Sequence, residues 1–598
     1  MHFFEKKTID YKLSTINSGL RGMTIIELLV TIGLFSISFI GIYGLFIVSI
    51  DVVTGAKARA GALALANERM EQIRNMPYAS VGTVNGIPSG TTPQTESVML
   101  NQTTYTRRTF VDYVDDPADG SGTSDQNNIA ADYKKVKVEI IWSIRGILRN
   151  YSSVTSVVPP GIESTAGGGT LRIQVINAQA SPVSDANVRI VNTSGSPSID
   201  VTTDTDPSGI VLFPGTPQGS GYQITVTKDG NSTAQTYTSN SQNPNPNPGH
   251  LSIAQAQTTT GTFAIDLLSS FAVSTYKAIE TKTWSDTFAN NTLLQTMAST
   301  TVSGGVLTLS SGSTVGSAKA ATTSPSYLYS WNSATFTPSI PSGSTLKVHV
   351  YSDSGSGPVL IPDTVIPSNA AGFSSSPISL AAVSTSTYPN LELGVDLNKG
   401  SAGSSPNLDG WSIDYDQGPT PLPSFPFSLR GAKTIGTTAG GASIYKFSQS
   451  LTSNTGSLFS TSTLEWDSYT PTVDSTATGY DIAGACTPTP WSVSAGTSVF
   501  VALYMFAHST NSLLVTVKDS ATGATINSAT VALTRSGFSS TKTTRLCGQA
   551  FYSGLSAGTV SGGNTYTAAV SKTGYQSATQ TGVVVSGASS VSVSLTPL

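Results

Sequence analysis

The sequence predicts a long N-terminal α-helix, membrane-spanning in its first half and leading into a small α+β head, followed by an all-β multidomain array of sandwiches. Three observations predict it. Met23 to Ile50 is a run of 28 residues in which Glu27 is the only charge, and about 20 apolar residues suffice to cross a hydrocarbon core. Residues 1–150 carry 29 charged side chains, whereas the three-times longer stretch 151–598 carries 37, so two kinds of protein are joined. Beyond residue 160 the chain is a series of strand-like runs separated by Ser, Thr, Gly, Pro and Asn, with no helical period longer than about two turns. At roughly 100–200 residues per domain, 598 residues imply several modules.

Taken from the N-terminus, residues 1–22 form a polar leader in which Lys6, Lys7, Lys12 and Arg21 outweigh Glu5 and Asp10. That excess keeps the N-terminus cytoplasmic and sends everything after about residue 50 outside. A secretory signal peptide would have a shorter apolar region of about 7–15 residues and a small-residue cleavage site after it. Past the apolar run, Ala56, Ala60, Leu63, Ala66, Met70 and Ile73 step by three and four, with Lys57, Arg59, Glu68, Arg69, Glu71 and Arg74 off that stripe. Pro77 ends the helix, giving one rod over 23–76. A carboxylate inside the bilayer is costly unless neutralised or paired, which marks Glu27 as a functional candidate; the competing reading is a protonated glutamate tolerated near the helix end.

The junction Arg21-Gly22-Met23-Thr24-Ile25-Ile26-Glu27-Leu28-Leu29-Val30 resembles the type IV prepilin motif, with Met23 where that family more often has phenylalanine. The resemblance covers roughly residues 15 to 160. It implies that prepilin peptidase cuts after Gly22 and N-methylates Met23. It also implies that Glu27 meets the free amine of a neighbouring pilin subunit as chains pack into a filament.

Residues 77–160 read as the β head, with strands over Thr104 to Val114 and along Val136, Val138, Ile140 and Trp142. Between them, Asp112, Asp115, Asp116, Asp119 and Gly120 offer oxygen ligands for calcium without the spacing of a calcium loop, and a solvated turn is the competing reading. No other cofactor is expected.

After Pro159-Pro160-Gly161 and a glycine run at 167–169, residues 169–235 and 511–577 repeat a common order. In the first, Leu171 to Ile176 precedes Ala186 to Val188, Phe213 to Gly215 and Tyr222 to Gly230; in the second, Leu514 to Asp519 precedes Ala529 to Val531, Phe551 to Gly554 and Tyr566 to Gly574. Both resemble the transthyretin-like, carboxypeptidase-regulatory β-sandwich. A less faithful third copy falls at 424–480, where Lys433 and Glu465 invite an isopeptide cross-link for which no aligned asparagine is present. The resulting modules are 165–265 with the Asn243–Gly249 proline-rich connector, 270–418 as a jelly-roll-like sandwich, 424–505, and 508–598. In 270–418, Trp331, Tyr351, Trp411 and Asp416 are candidates for sugar or calcium contacts, with burial of the tryptophans as the alternative.

A net charge of −4 leaves no basic field for nucleic acid. His250, His349 and His508 are widely dispersed, so no enzyme activity is expected. Cys486 and Cys547 are the only two thiols, and in an oxidising compartment they should form a disulfide that stabilises the C-terminal sandwich; two buried free thiols are the alternative. These observations lead to a type IV pilin-like minor or tip subunit at the cell surface, adhering to a glycan, polymer or protein. The rival is a non-binding structural pseudopilin or stalk component of a pilus or secretion apparatus.

Overall fold

The computed structural model describes residues 24–114, 132–160, 168–195, 198–255, 257–355, 357–558 and 564–598. One long apolar helix is followed by an array of β-sheets, as the sequence predicts. The chain forms two compact units, one of residues 1–174, 187–224 and 250–262, the other of 175–186, 225–249 and 263–598.

In the first unit, α1 (Ile25–Arg74) runs 50 residues, about 75 Å at 1.5 Å per residue. Thr24 caps it, with its Oγ1 accepting from the Glu27 N–H at 3.3 Å, and Asn75 closes it ahead of Pro77. No residue from Ile25 to Val53 is buried. The C-terminal half lies on a four-stranded antiparallel meander of β1 (Thr95–Leu100), β2 (Thr103–Val114), β3 (Tyr133–Ile144) and β4 (Ile147–Val157). The alternation along β3 buries Val136, Val138, Ile140 and Trp142 against the helix, as the period of two requires. Lys134 turns inward on that strand, and its ammonium donates to the Tyr78 and Val81 carbonyls, both at 2.9 Å, fixing the chain that leaves the helix.

The helix face is rotated from the expected stripe. Ala58, Ala62, Leu65, Ala66, Met70 and Ile73 are buried, while Ala56, Ala60 and Leu63 face outward. Arg69, expected on the polar side, is buried and pairs with Glu96 of β1, which also accepts from Arg107 Nε at 2.7 Å. The half-buried Glu96 carboxylate holds Arg69 in the interface, and the small Ala/Gly background made neighbouring stripes look alike.

The same unit holds most of the first sandwich. Gly168–Ile176 lies between Ile210–Pro217 and Thr258–Ala264 in one sheet, while the other runs Ile199–Asp204, Asn187–Asn192, Gly219–Thr227 and Ala234–Gln235. Gly168 and Gly169, from the glycine run at 167–169, are strand residues. A Cβ on Gly169 would run into the Ala254 and Gln257 carbonyl oxygens, so the residue type reflects close backbone approach.

The second unit changes the module boundaries. The segment expected to open the jelly roll, Ser269–Lys277, pairs instead with Ser498–Ala507 in parallel and with Leu458–Leu464 antiparallel. It is thus the first strand of the third sandwich, whose opposite sheet is Ser448–Thr452, Pro426–Gly431, Asp467–Thr472 and Trp491–Val493. The C-terminal sandwich has the same plan. Ser512–Asp519 lies between Gln549–Tyr552 and, in parallel, Ala588–Pro597, opposite a sheet of Phe538–Thr543, Thr530–Arg535, Tyr566–Ser571 and Ala578–Val583.

The jelly-roll-like unit, Glu280 to Gln417, is therefore an insertion between the first and second strands of the third sandwich. Its two sheets, of six and five strands, enclose a separate core that includes Phe288, Trp331, Leu346, Val395 and Ile413. Its ends leave side by side. Lys277 pairs with Thr420, and Glu280 pairs with Gln417 just beyond. Replacing residues 278–419 by Asn-Gly should close this ladder as a two-residue hairpin. The shortened chain is expected to keep a folded third sandwich, and loss of protection at Leu429 and Leu503 in hydrogen exchange would refute the insertion.

The proline-rich connector is also not free-standing. Asn245 and Pro246 pair with Thr437 and Gly436, and the Asn243 side chain and Asn247 N–H both donate to the Ile435 carbonyl at 3.0 Å. Alternating prolines keep the strand extended, while the asparagines supply the donors that proline lacks.

Candidate functional site

At the N-terminal end, Gly22 and Met23 lie outside the described residues. Glu27 occupies the first turn of α1, where the unpaired N–H groups favour a carboxylate. Thr24-x-x-Glu27 is also the spacing of a capping box, a local signal that the motif reading passed over. The surrounding Ile25, Ile26, Leu28 and Leu29 are all at least half exposed. Among the described residues no cation is placed beside Glu27, since the fold puts the head more than 30 residues further on.

The acidic loop lies outside the described residues except for its first member. Asp112 stands on β2 directly opposite Lys135. Among the described residues no group of three or more His, Cys, Asp or Glu side chains is placed to hold a metal ion.

In the insertion the candidate sugar contacts are not displayed. Trp331 and Trp411 are 1% and 2% exposed, and Trp331 donates its ring N–H to the Tyr388 carbonyl at 2.8 Å. Asp416 is buried and fully engaged, accepting from Thr281 at 2.7 Å, from Ser330 and Asn332 at 3.2 Å, and from Arg545 at 2.6 Å. Each sits on a long central strand whose inward positions must be filled from the sequence's few large side chains. Tyr351 alone is half exposed, beneath the Lys319 ammonium, 4.2 Å from its ring centre.

The histidines have structural partners. His349 Nδ1 lies 2.7 Å from the Asn369 carbonyl, and His508 Nδ1 lies 2.8 Å from Oδ1 of buried Asp481. Burial alone would raise the Asp481 pKa; hydrogen bonds from His508, Ser475, Ser509 and Ser512 outweigh it and hold the carboxyl below its ordinary range. The Lys433 ammonium reaches Glu465 at 2.7 Å, and Lys446 reaches its other oxygen at 2.6 Å, a charge triad in place of a cross-link with asparagine.

Cys486 and Cys547 are joined, with Cα atoms 5.4 Å apart. The bond does not lie within the C-terminal sandwich. Cys486 ends a strand of the third sandwich, Tyr480–Cys486, whereas Cys547 lies on a turn of the last one. Neighbouring residues repeat the tie: the Gln549 side chain accepts from the Ala485 N–H at 2.8 Å, and Arg545 binds Asp416 of the insertion. Closing a 61-residue loop contributes about 4 kcal/mol in the chain-entropy picture, and here that falls on the joint. Thiol labelling of the unfolded, unreduced chain is expected to find no reactive cysteine. A Cys486→Ser/Cys547→Ser chain should keep both sandwich cores while exchange rises at 484–486 and 547–549; collapse of the C-terminal core would restore the original expectation.

Beside the disulfide is a cleft of about 590 Å³ lined by Tyr504, Phe506 and Phe551 together with Glu280, Lys542 and Arg545. Half-exposed aromatic faces and a few convergent polar groups are what small-ligand sites use. Sequence reading missed it because its walls come from three modules. Only the rarity of the two cysteines pointed to this region.

The described chain thus defines a class: a bare apolar helix with a small antiparallel head, bearing an array of β-sandwiches. No protein-family model and no curated protein matches it. Among solved structures, the Bacillus anthracis TIE protein aligns at 9% identity over 84% of this chain and 73% of its own, with a TM-score of 0.15. The shaft pilin SpaA from Lactobacillus rhamnosus GG aligns at 12% over 30% and 89%, with a TM-score of 0.13. BcpA, the major pilin subunit of Bacillus cereus, aligns at 10% over 72% and 100%, with a TM-score of 0.12. Likeness at these scores carries no argument about fold or function.

Proposed function

We propose that the chain is a type IV pilin-like minor or tip subunit that displays its β modules at the cell surface for adhesion. The observation that carries this reading is the division of α1. Its first half is apolar and bare, with Glu27 as the one acid before Asp51, and its second half is built into the four-stranded head. The precursor spans the cytoplasmic membrane once, prepilin peptidase cuts after Gly22 and methylates Met23, and other pilin subunits pack against the freed helix. A passenger of over 400 residues would crowd a lattice of identical neighbours, which favours a minor or tip position. The passenger acts by binding and not by turnover. Intact-mass measurement of membrane-extracted protein tests the reading: a chain starting at N-methylated Met23 supports it, and retention of residues 1–22 in cells with active prepilin peptidase refutes it.

The cleft at Tyr504, Phe506 and Phe551 joins the insertion as a candidate contact for a glycan, polymer or protein. The joints favour a second reading, a non-binding stalk or pseudopilin, because Cys486–Cys547 and Arg545–Asp416 fix modules that a flexible display would leave loose. The chain lacking 278–419 separates the two. Lost surface attachment with normal assembly supports adhesion through the insertion; attachment that persists without it but disappears without 511–598 makes the terminal sandwich the binder, and attachment indifferent to both deletions favours the stalk.

A further inference from the structure

The tip of the β3–β4 hairpin is unusual for an exposed turn. Ile147 and Leu148 are 59% and 72% exposed, and they stand across the strand pair from Ile144 and Ser143. Arg145 and Arg149 flank them, both exposed. Two large apolar side chains bracketed by cations fit water poorly, and they fit the boundary between hydrocarbon and headgroups well.

The helix fixes where this tip sits. Arg145 Nη2 pairs with Asp51 Oδ1 at 2.7 Å, and Asp51 is the first acid after Glu27, at the end of the bare stretch. From Ile25 to Val53 that stretch measures about 43 Å at 1.5 Å per residue, against about 30 Å for the hydrocarbon core and about 40–45 Å including the headgroups. A span that begins near Ile25 therefore brings Asp51, and the hairpin tied to it, to the level of the headgroups. The Tyr105 hydroxyl, donating to the Ala58 carbonyl at 2.9 Å, holds the rest of the sheet just above. Charge agrees: Lys57, Arg59, Arg145 and Arg149 surround this level against Asp51 alone, which suits an anionic surface.

We propose that the β3–β4 hairpin tip is an interfacial anchor that seats Ile147 and Leu148 among the headgroups of an anionic bilayer, fixing the rotation of the head about α1. This rests on the reading of α1 as a membrane span. The hairpin would then leave the lipid when the helix does, so extraction into a filament would have to break both contacts.

Because the native cysteines of the full chain are paired, a single introduced thiol is the one site for labelling. Leu34→Cys, Leu148→Cys and Val154→Cys chains, each carrying an environment-sensitive fluorophore, are reconstituted in phosphatidylcholine–phosphatidylglycerol vesicles. The label at 34 should be quenched by deep nitroxide lipids, the label at 148 should shift to the blue and be quenched by shallow ones, and the label at 154, about 20 Å along the strand, should respond only to an aqueous quencher. Arg149→Ser should lower the phosphatidylglycerol dependence of the signal at 148. If 34 is quenched and 148 responds only from water, the anchor is refuted while the span stands. If 34 itself is not quenched by lipid, the span reading falls and the anchor with it. Protection of 148 only in assembled filaments would mean that the tip meets another copy of the chain and would likewise refute the anchor.

Discussion

Glu27→Ala chains are expected to be cleaved after Gly22 and yet to be absent from filaments. Cleavage should survive because the residue lies five positions beyond the scissile bond and the peptidase, by the motif's resemblance, reads chiefly the glycine. Entry should fail because the carboxylate stands in the first turn of a helix whose neighbours Ile25, Ile26, Leu28 and Leu29 are exposed and apolar. An ionised acid in that setting costs several kcal/mol unless paired, and the amine freed by cleavage of a neighbouring chain is the partner that would offset it. Alanine would remove both the cost and the pairing proposed to set axial register. Membrane insertion should therefore be unchanged, or slightly easier, while filament incorporation falls to background in sheared-pilus fractions. Glu27→Asp should restore it in part, whereas normal incorporation of the alanine chain would refute the pairing role of Glu27.

Phe271→Ala should be the most damaging single substitution in the second unit, and its damage should appear far from its sequence neighbours. The ring is 1% exposed, with its centroid 5.6 Å from Trp491 and 6.3 Å from Tyr469. Truncating a buried phenylalanine costs about 3–5 kcal/mol, transfer and cavity together. Every large side chain it touches belongs to the third sandwich, on the far side of the insertion in sequence. Hydrogen exchange should therefore accelerate across 420–507 while Leu346, Leu393 and Ile413 keep their protection. The opposite pattern would return Ser269–Lys277 to the jelly roll.

Much of the fold was legible because its signals are local. Twenty-eight residues with one charge read as a long apolar helix, Pro77 ends the helix within three residues of Arg74, and the alternation Val136, Val138, Ile140, Trp142 puts one face of β3 inside. The repeat between 169–235 and 511–577 also survives as a shared strand plan. What escaped was non-local. The third copy looked unfaithful at 424–480 because its first strand had been left at 269–277, and no period or turn signal records a partner more than 140 residues away. The disulfide pair was readable from there being two thiols, but its placement between modules was not. For the candidate site the same distinction holds: Glu27 stands out in one short window, while the aromatic cleft takes its walls from positions as far apart as Glu280 and Phe551.

The adjacency of Lys277 and Thr420 has a mechanical consequence. A chain held at its N-terminal end and pulled through its last module would feel tension enter the third sandwich at Ser269 and leave it near Ala507, with Cys486–Cys547 as a second covalent link to the last sandwich. Those ends belong to parallel neighbours, Ser269–Lys277 and Ser498–Ala507, matched residue for residue over eight pairs, so their ladder would be loaded in shear, with its hydrogen bonds resisting together and not one after another. The inserted unit lies outside this covalent path, touching it only through the Arg545–Asp416 ion pair. Its two ends are clamped side by side in the same sheet, and tension crosses from one strand to the other without passing through residues 280–417. A surface carried there would keep its shape while the chain beneath it is under strain.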